Sequence, residues 1–334
     1  MSSDYLSAMP AEIIRHVCQS LEMPDLISLS KASPTLDDVI RATVCSDMHR
    51  LSVVNTVQGA VFEFTRTSSN RTTSSGSPES WREAFDLCRG VKSLSIDIAR
   101  DAANTSTYVE AIERAQFPLR SMKIRIRDAE SPVSTNTSVR LHRKLTSLAR
   151  TYKNTLRHVE VATSDDDVIR VDLSCEQTTL YYRQKPDAAN SLLNLHHQVL
   201  YPIFHGFLEN RANPVVMLLI DSRSKPQLAM QNAFQLALPH SNRAQLQKLT
   251  VEFCESMADI SVEEVEKMLL GHVEYHATTP NLQEFTCRLP HTTLETSHLE
   301  EWHDAICDRV RRQRKISLHT PFQTMTTPSV VKCK

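Results

Sequence analysis

A six-residue pattern of apolar positions recurs along the middle and the end of the chain. It runs aliphatic-x-x-Φ-x-Φ, where Φ is apolar, and its final alternation is typical of a strand with one buried face. Because 40% of the residues are hydrophobic, roughly twenty matches are expected by chance, so the count alone is not informative. The spacing and surroundings of six copies are informative, and these copies begin at Val91, Leu119, Leu156, Val215, Leu246 and Leu282. A weaker seventh copy ends at Ile316-Ser-Leu318.

The distances between these copies indicate a repeated structural unit. Successive copies begin 28 to 37 residues apart, except for one step of 59 residues from Leu156 to Val215. That long step holds either two units or one unit with an inserted hairpin. The strands of such a hairpin would be Val168–Leu173 and residues 178–182.

A helical pattern of apolar residues precedes most of these strands. Ser80-Trp-Arg-Glu83 has the spacing of a capping box, which favours a helix start just before the first copy. Helix, turn and short strand then alternate about every 30 residues, which predicts an α/β fold built from repeated βα units. The apolar helix positions include Ala84, Phe85, Leu87, Tyr108, Val109, Ile112, Leu141, Leu145, Leu148, Tyr152, the segment 191–208, Val262, Val265, Met268, Leu269, Leu299, Trp302, Ile306 and Val310.

The first forty residues follow a different pattern, that of three short helices. Pro10 suits a first helical turn, and Ile13, Ile14, Val17 and Leu21 then form one apolar stripe. Leu26 and Leu29 are spaced for a second helix, and Leu36, Val39 and Ile40 begin a third after Pro34. Helices this short bury little apolar surface alone, so we expect the stripe to be shared with a partner.

This N-terminal segment resembles an F-box. The matching positions are Met9-Pro10-Ala-Glu12, Ile13-Ile14, Val17, Leu21, Asp25-Leu26, Leu29 and Ala32-Ser33. Two positions depart from the family pattern: Met9 replaces the usual Leu, and Leu36 stands where a Trp is common. The resemblance implies docking to a Skp-type adaptor and, through it, to a cullin. It implies these adaptor-binding residues: Leu6, Met9, Pro10, Ile13, Ile14, Val17, Leu21, Leu26 and Leu29.

The repeated strands are similar to those of leucine-rich repeats, although the asparagine ladder and the regular period of that family are missing. The alternative is a generic α/β domain with parallel strands. In a repeat array the residues between the Φ positions face the concave side, where a target protein would bind. The substrate-binding candidates there are Lys123, Arg125, Glu160, Glu252 and Arg288, and their mixed charges suit a protein surface.

The predicted organisation therefore has four parts. The F-box occupies residues 4–48, and a linker with a Ser/Thr-rich loop occupies 49–80. The irregular leucine-rich-repeat-like array occupies 81–320, and a disordered tail occupies 321–334.

The composition and net charge limit the partners, the compartment and the cofactors that the sequence leads us to expect. The net charge of −1 gives no electrostatic reason to expect nucleic acid or a membrane as partner. The eight cysteines are scattered, which favours free thiols in a reducing compartment, and we expect a cytoplasmic or nuclear protein. His272 and His276 have a helical metal-ligand spacing, but no further ligand accompanies them, so no metal or other cofactor is expected.

The sequence also lacks the familiar catalytic and nucleotide-binding motifs, so an enzyme is not expected. The leading hypothesis is a substrate-recognition adaptor of a Skp–cullin–F-box ubiquitin ligase, which holds an unidentified protein target. One alternative is a repeat scaffold outside any ligase, whose N-terminal helices cap the array. A small enzyme with a hidden site is a third hypothesis.

Overall fold

A computed structural model provides the three-dimensional structure of the chain. Its compact regions form two units, Met1–Leu156 and Arg157–Lys334, and each unit is described by itself. The residues that the structure describes are 9–56, 59–66, 72–75, 78–99, 105–127, 135–163, 165, 167–184, 200–211, 213–222, 226–254, 279–288 and 330–333.

The first unit begins with the three predicted short helices. These are α1 (Ala11–Cys18), α2 (Met23–Ala32) and α3 (Pro34–Val39), followed by a wide helical turn at Ile40–Val44 and a tight one at Cys45–Asp47. Pro24 and Pro34 lie at the helix starts, where the missing N–H of proline leaves no hydrogen bond unmade. The extended backbone of Ser33 separates α2 from α3. The prediction of three short helices is confirmed.

A mixed sheet with helices completes the first unit. Its elements are β1 (Met48–Thr56), β2 (Gly59–Arg66), β3 (Thr72–Ser75), α4 (Pro78–Leu87), β4 (Ser93–Ala99), α5 (Thr105–Ala115), β5 (Ser121–Arg127) and α6 (Thr135–Thr151). Within this unit the strands lie in the order β5-β4-β1-β2-β3. Strands β5, β4 and β1 are parallel, whereas β2 pairs antiparallel with β1 and with β3. Helix α4 begins at Pro78, two residues before Ser80, where the capping-box spacing had placed the helix start.

The prediction of a linker at 49–80 is wrong, because this segment holds three strands and the start of α4. The alternating side chains of β1 and β2 are buried on one face, including Leu51, Val53, Phe62 and Phe64. Phe62 packs against Trp81 of α4 with a ring-centroid distance of 4.4 Å. This aromatic contact gives the segment its own apolar core, which a linker would lack.

Strand β1 carries an earlier copy of the repeated pattern. Leu51 lies opposite Leu94 and Val53 lies opposite Ile96 in the parallel β1–β4 pair. Met48-x-x-Leu51-x-Val53 therefore occupies the same place as Val91-x-x-Leu94-x-Ile96, and all three of its apolar side chains are buried. The repeat thus begins one strand earlier than the sequence analysis placed it.

The second unit is a sheet whose strands follow the chain order. Its elements are β6 (His158–Ala162), β7 (Val168–Leu173), β8 (Gln177–Gln184), α7 (Tyr201–Leu208), β9 (Val215–Ser222), α8 (Pro226–Ala237), a tight turn at His240–Gln245, β10 (Lys248–Phe253), β11 (Glu284–Arg288) and β12 (Val330–Cys333). Strands β8 to β11 are parallel neighbours, and β6, β7 and β8 pair antiparallel. The inserted hairpin is therefore confirmed as β7 and β8.

Two details of the second unit correct the sequence analysis. Leu249 lies opposite Val216, so the repeat that contains β9 begins at Asn213, two residues before Val215. Residues 330–333 form β12 antiparallel to β11, so the prediction of a disordered tail is wrong for these residues. The seventh copy, the helices expected within 261–272 and 299–310, and His272 and His276 lie outside the described residues.

The chain is thus a mixed α/β protein. The six strands expected from the main copies are all present, as β4, β5, β6, β9, β10 and β11. Their Φ residues are buried wherever the side chain is described, for example Met122 and Ile124 of β5 and Leu218 and Ile220 of β9.

Candidate protein-interaction surfaces

Helix α1 presents a line of exposed apolar side chains. Met9, Ile13 and Val17 follow each other four residues apart and retain 40%, 49% and 45% of their surface. Ile13 and Val17 lie on one face of α1 because they are four residues apart, whereas Met9 precedes the helix, which begins at Ala11 after the extended backbone of Pro10. We name these three residues the N-terminal ridge. Among the described residues only Val61, at 39%, is a comparably exposed large apolar residue. Most of the exposed large apolar side chains that the structure describes therefore belong to the ridge.

The predicted adaptor-binding residues differ in their exposure. Met9, Ile13 and Val17 form the ridge, and most of the others are buried, half-buried or exposed beside it. Ile14 and Leu26 lie in the interior, with 4% and 0% of their surface exposed, and therefore support the helices instead of facing outward. Pro10 is exposed next to the ridge, and Leu21 and Leu29 are half-buried. Leu6 lies outside the described residues.

Polar contacts hold the N-terminal helices on the sheet of the first unit. Arg66, which is 2% exposed at the end of β2, donates from Nη1 to the Gln19 carbonyl over 2.8 Å. Arg41 donates to the Asp86 carbonyl at the end of α4. The expected domain boundary at residue 48 therefore lies inside one compact unit. The helix that carries most of the ridge is held in place by contacts with the rest of that unit.

Three buried thiols lie behind the N-terminal helices. Cys18, Cys45 and Cys88 are each at most 1% exposed, and the Cys88 Sγ lies 3.1 Å from the Met48 Sδ. Burial raises the pKa of Cys88 well above its ordinary value and also raises the pKa of Cys18. A protonated buried thiol is a poor nucleophile and a poor metal ligand, so this cluster serves packing.

In the second unit, a row of half-buried side chains crosses six neighbouring strands. Each member lies opposite the next in the register of the sheet. Because side chains alternate between the two faces of a strand, the row lies opposite the buried Leu180 and Leu218. We name this set the cross-strand row: Glu160, Arg170, Tyr181, Leu219, Glu252 and Arg288.

Charged groups pair along the cross-strand row around an apolar centre. Arg288 Nη1 lies 2.9 Å from a Glu252 carboxylate oxygen. The Arg170 guanidinium lies 5.5 Å from the ring centroid of Tyr181, and the Tyr181 hydroxyl donates to Asp221 over 3.4 Å. Partly exposed ion pairs contribute little to stability, whereas tyrosine and arginine around an apolar centre are typical of protein interfaces.

The five substrate-binding candidates fall into two groups. The structure places Glu160 at one end of the cross-strand row of the second unit and brings Glu252 and Arg288 together at the other end. Lys123 and Arg125 lie on β5 of the first unit, where they face Ser95 and Asp97 of β4. The sequence analysis missed Arg170 and Tyr181, because the register that places them in the row depends on the pairing of β7 and β8. Their alternate positions on the predicted hairpin strands were the available signal.

In the part of the chain that the structure describes, no three His, Cys, Asp or Glu side chains are grouped so that they could hold a metal ion. None of the helices in the described ranges has the length and apolar character needed to cross a membrane.

Comparison with known proteins adds no family assignment. No protein-family model matches the chain, and no curated protein is similar enough in sequence to count as a relative.

Proposed function

We propose that this protein is the substrate-recognition subunit of a Skp–cullin–F-box ubiquitin ligase. The observation that carries the proposal is the exposure of Ile13 and Val17 on one face of α1 and of Met9 just before that helix. These three residues belong to the segment that resembles an F-box, and in that family this segment contacts a Skp-type adaptor. The adaptor would therefore cover the ridge.

The energetics of the N-terminal ridge favour a partner. Fully burying an exposed side chain of this size contributes about 1.5–3 kcal/mol, and these three residues still expose 40–49% of their surface, so covering the ridge would add roughly half of that amount per residue. An aligned group of exposed apolar side chains is typical of an interaction site. The buried Ile14 and Leu26 would contribute indirectly, by fixing α1 and α2 in place.

The second part of the proposal concerns the target protein. The sheet of the second unit would act as a leucine-rich-repeat-like platform, with the cross-strand row as its contact surface. Tyr181 and Leu219 provide an apolar centre, and the charged pair of Glu252 and Arg288 provides a polar margin. Catalysis would occur by proximity, because holding the target beside a ubiquitin-loaded enzyme raises the effective concentration of the reacting groups.

A binding experiment with matched variants tests the adaptor contact. The full chain is mixed with a purified Skp-type adaptor, and the dissociation constant is measured by calorimetry. We expect Ile13→Asp and Val17→Asp to weaken binding about 100-fold or more, because each places a charge in a desolvated contact. Val61→Asp is the matched control, because Val61 is a similarly exposed aliphatic residue on β2, and it should leave binding unchanged.

One alternative has its own structural support. The hydrogen bond from Arg66 to Gln19 attaches the N-terminal helices to β2, and the bond from Arg41 to the Asp86 carbonyl attaches them to α4, as a cap of a repeat scaffold would be attached. The two functions give different results in the same assay. If the folded wild-type chain does not bind the adaptor while a known F-box protein does, the ligase proposal fails and the scaffold function is favoured.

A further inference from the structure

A cleft of about 400 Å³ opens on the second unit, near the ends where β6, β9 and β10 begin. Its lining includes Arg157 just before β6, Asn213 just before β9 and Gln245 just before β10. The other polar side chains that matter here are Asn210, Arg211 and Ser241. Neither the N-terminal ridge nor the cross-strand row includes any of these residues.

Two positive charges face this cleft. Arg157 is exposed, and Arg211 is half-buried with its guanidinium 5.1 Å from the ring centroid of Phe207. Burial, and then the like charge of Arg157, lower the pKa of Arg211 to about 10, which leaves the Arg211 guanidinium cationic at neutral pH. Two cations held at one cleft create a positive potential that an anion would relieve.

The neutral groups of the cleft suit the same type of ligand. Asn210 and Gln245 carry side-chain N–H donors, whereas the Asn213 amide donates to the Ser174 carbonyl and the Thr178 hydroxyl and the Ser241 hydroxyl donates to the Asn242 side chain. Among the described residues that line the cleft there is no aspartate or glutamate. A cleft with two guanidinium groups and neutral amide donors matches a ligand with several negatively charged oxygens.

The walls of the cleft are fixed by hydrogen bonds. Asn242 donates from Nδ2 to the Leu208 carbonyl over 3.0 Å, and the main-chain N–H of Arg211 donates to the same carbonyl over 2.9 Å. Asn213 donates from Nδ2 to the Thr178 hydroxyl over 3.0 Å. These bonds hold the segment after α7 and the turn before β10 in position, so the two arginines are presented by an ordered scaffold.

We propose that this cleft binds the phosphate group of a phosphate monoester. A monoester carries about two negative charges and three terminal oxygens, which match the two guanidinium groups and the neutral donors. The phosphodiester backbone of a nucleic acid would require an extended basic track, whereas this chain has a net charge of −1 and the two arginines form a local site. The proposal does not depend on the ligase function.

Calorimetric titration of the full chain with inorganic phosphate and with a phosphoserine-containing peptide tests this site. We expect both probes to bind, and Arg157→Gln and Arg211→Gln each to weaken binding about tenfold or more through loss of a charge-assisted contact. Arg211→Lys, which keeps the charge, should retain part of the affinity. Arg82→Gln removes an exposed charge from α4 of the first unit and should change nothing.

The two probes distinguish the source of the phosphate group. Tighter binding of the phosphopeptide than of inorganic phosphate, with no binding of the unphosphorylated peptide, would assign the site to a modified protein. Equal affinity for both probes would assign it to a phosphate group irrespective of its carrier. The proposal is overturned if neither probe binds, if Arg157→Gln leaves the affinity unchanged, or if Arg82→Gln weakens binding as much as the cleft variants do.

Discussion

The guanidinium of Arg66 donates to the main-chain carbonyl of Gln19 over 2.8 Å, which joins the end of β2 to the residue that follows α1. Arg66 is 2% exposed, so this contact lies inside the first unit. The helix that carries the N-terminal ridge is therefore fixed to a strand 47 residues later in the chain. The N-terminal helices and the sheet beside them belong to the same compact unit.

Replacing Arg66 tests this attachment. We expect Arg66→Ala to lower the free energy of unfolding by about 2 kcal/mol, because the variant loses a partly buried hydrogen bond from a charged group to the Gln19 carbonyl. Urea denaturation of both proteins measures the difference. Arg82→Ala, at an exposed site on α4, is the control and should shift stability by less than about 0.5 kcal/mol. Equal stability of the two variants would show that Arg66 does not secure α1.

Ile13 and Ile14 provide a second, internally matched test. They are adjacent and chemically identical, but Ile13 is 49% exposed and Ile14 is 4% exposed. We expect Ile14→Ala to lower the free energy of unfolding by about 2–5 kcal/mol through loss of burial and creation of a cavity. Ile13→Ala should change stability by less than about 0.5 kcal/mol and should weaken only adaptor binding. Thermal denaturation and the adaptor titration separate the two effects, and a stability loss in Ile13→Ala equal to that in Ile14→Ala would contradict the assignment.

The strands with one buried face could be predicted from the order of apolar and polar residues along the chain. The alternation of Leu94 with Ile96 and of Leu249 with Val251 predicts strands correctly, because side-chain direction in a strand depends only on position along the chain. The same signal was present at Leu51 and Val53. It was missed because the Ser/Thr-rich residues that follow β2 suggested a loop.

Features that depend on pairing between distant segments could not be predicted. The burial of Arg66 depends on the Gln19 carbonyl, and no side-chain pattern marks a main-chain acceptor. The cross-strand row depends on register: a shift of one residue in the pairing of β7 and β8 would move Arg170 away from Tyr181. For the same reason the sequence indicated Glu252 and Arg288 separately but not their 2.9 Å ion pair.

The cysteines should differ sharply in reactivity toward an alkylating reagent. Cys175 is exposed, whereas Cys18, Cys45 and Cys88 are buried, and burial holds the pKa of Cys88 well above its ordinary value. Because the thiolate is the nucleophile, we expect rapid labelling of Cys175 at neutral pH and labelling of the buried three only after denaturation. Mass spectrometry of the digested protein assigns the label to each residue, and the urea-unfolded chain is the control. Labelling of Cys88 as fast as Cys175 in the native protein would contradict the buried cluster.

The stability of the protein at high pH should depend on the ionisation of Tyr152 in the first unit. Its hydroxyl donates to the Ile112 carbonyl and accepts the Phe117 N–H over 3.3 Å, and burial raises the pKa of Tyr152 to about 12. An unfolded tyrosine ionises near pH 10, so the unfolded state loses this proton first and stability falls between about pH 10 and pH 12. Tyr152→Phe removes this titration, so the stability of the variant should decline less steeply between about pH 10 and pH 12 than that of the wild type. At neutral pH we expect the variant to be less stable by about 1 kcal/mol, because it lacks the hydrogen bonds of the hydroxyl. Urea denaturation at a series of pH values measures both effects. Tyr201→Phe, at a partly exposed tyrosine, is the control, and parallel curves for wild type and Tyr152→Phe would refute the assignment.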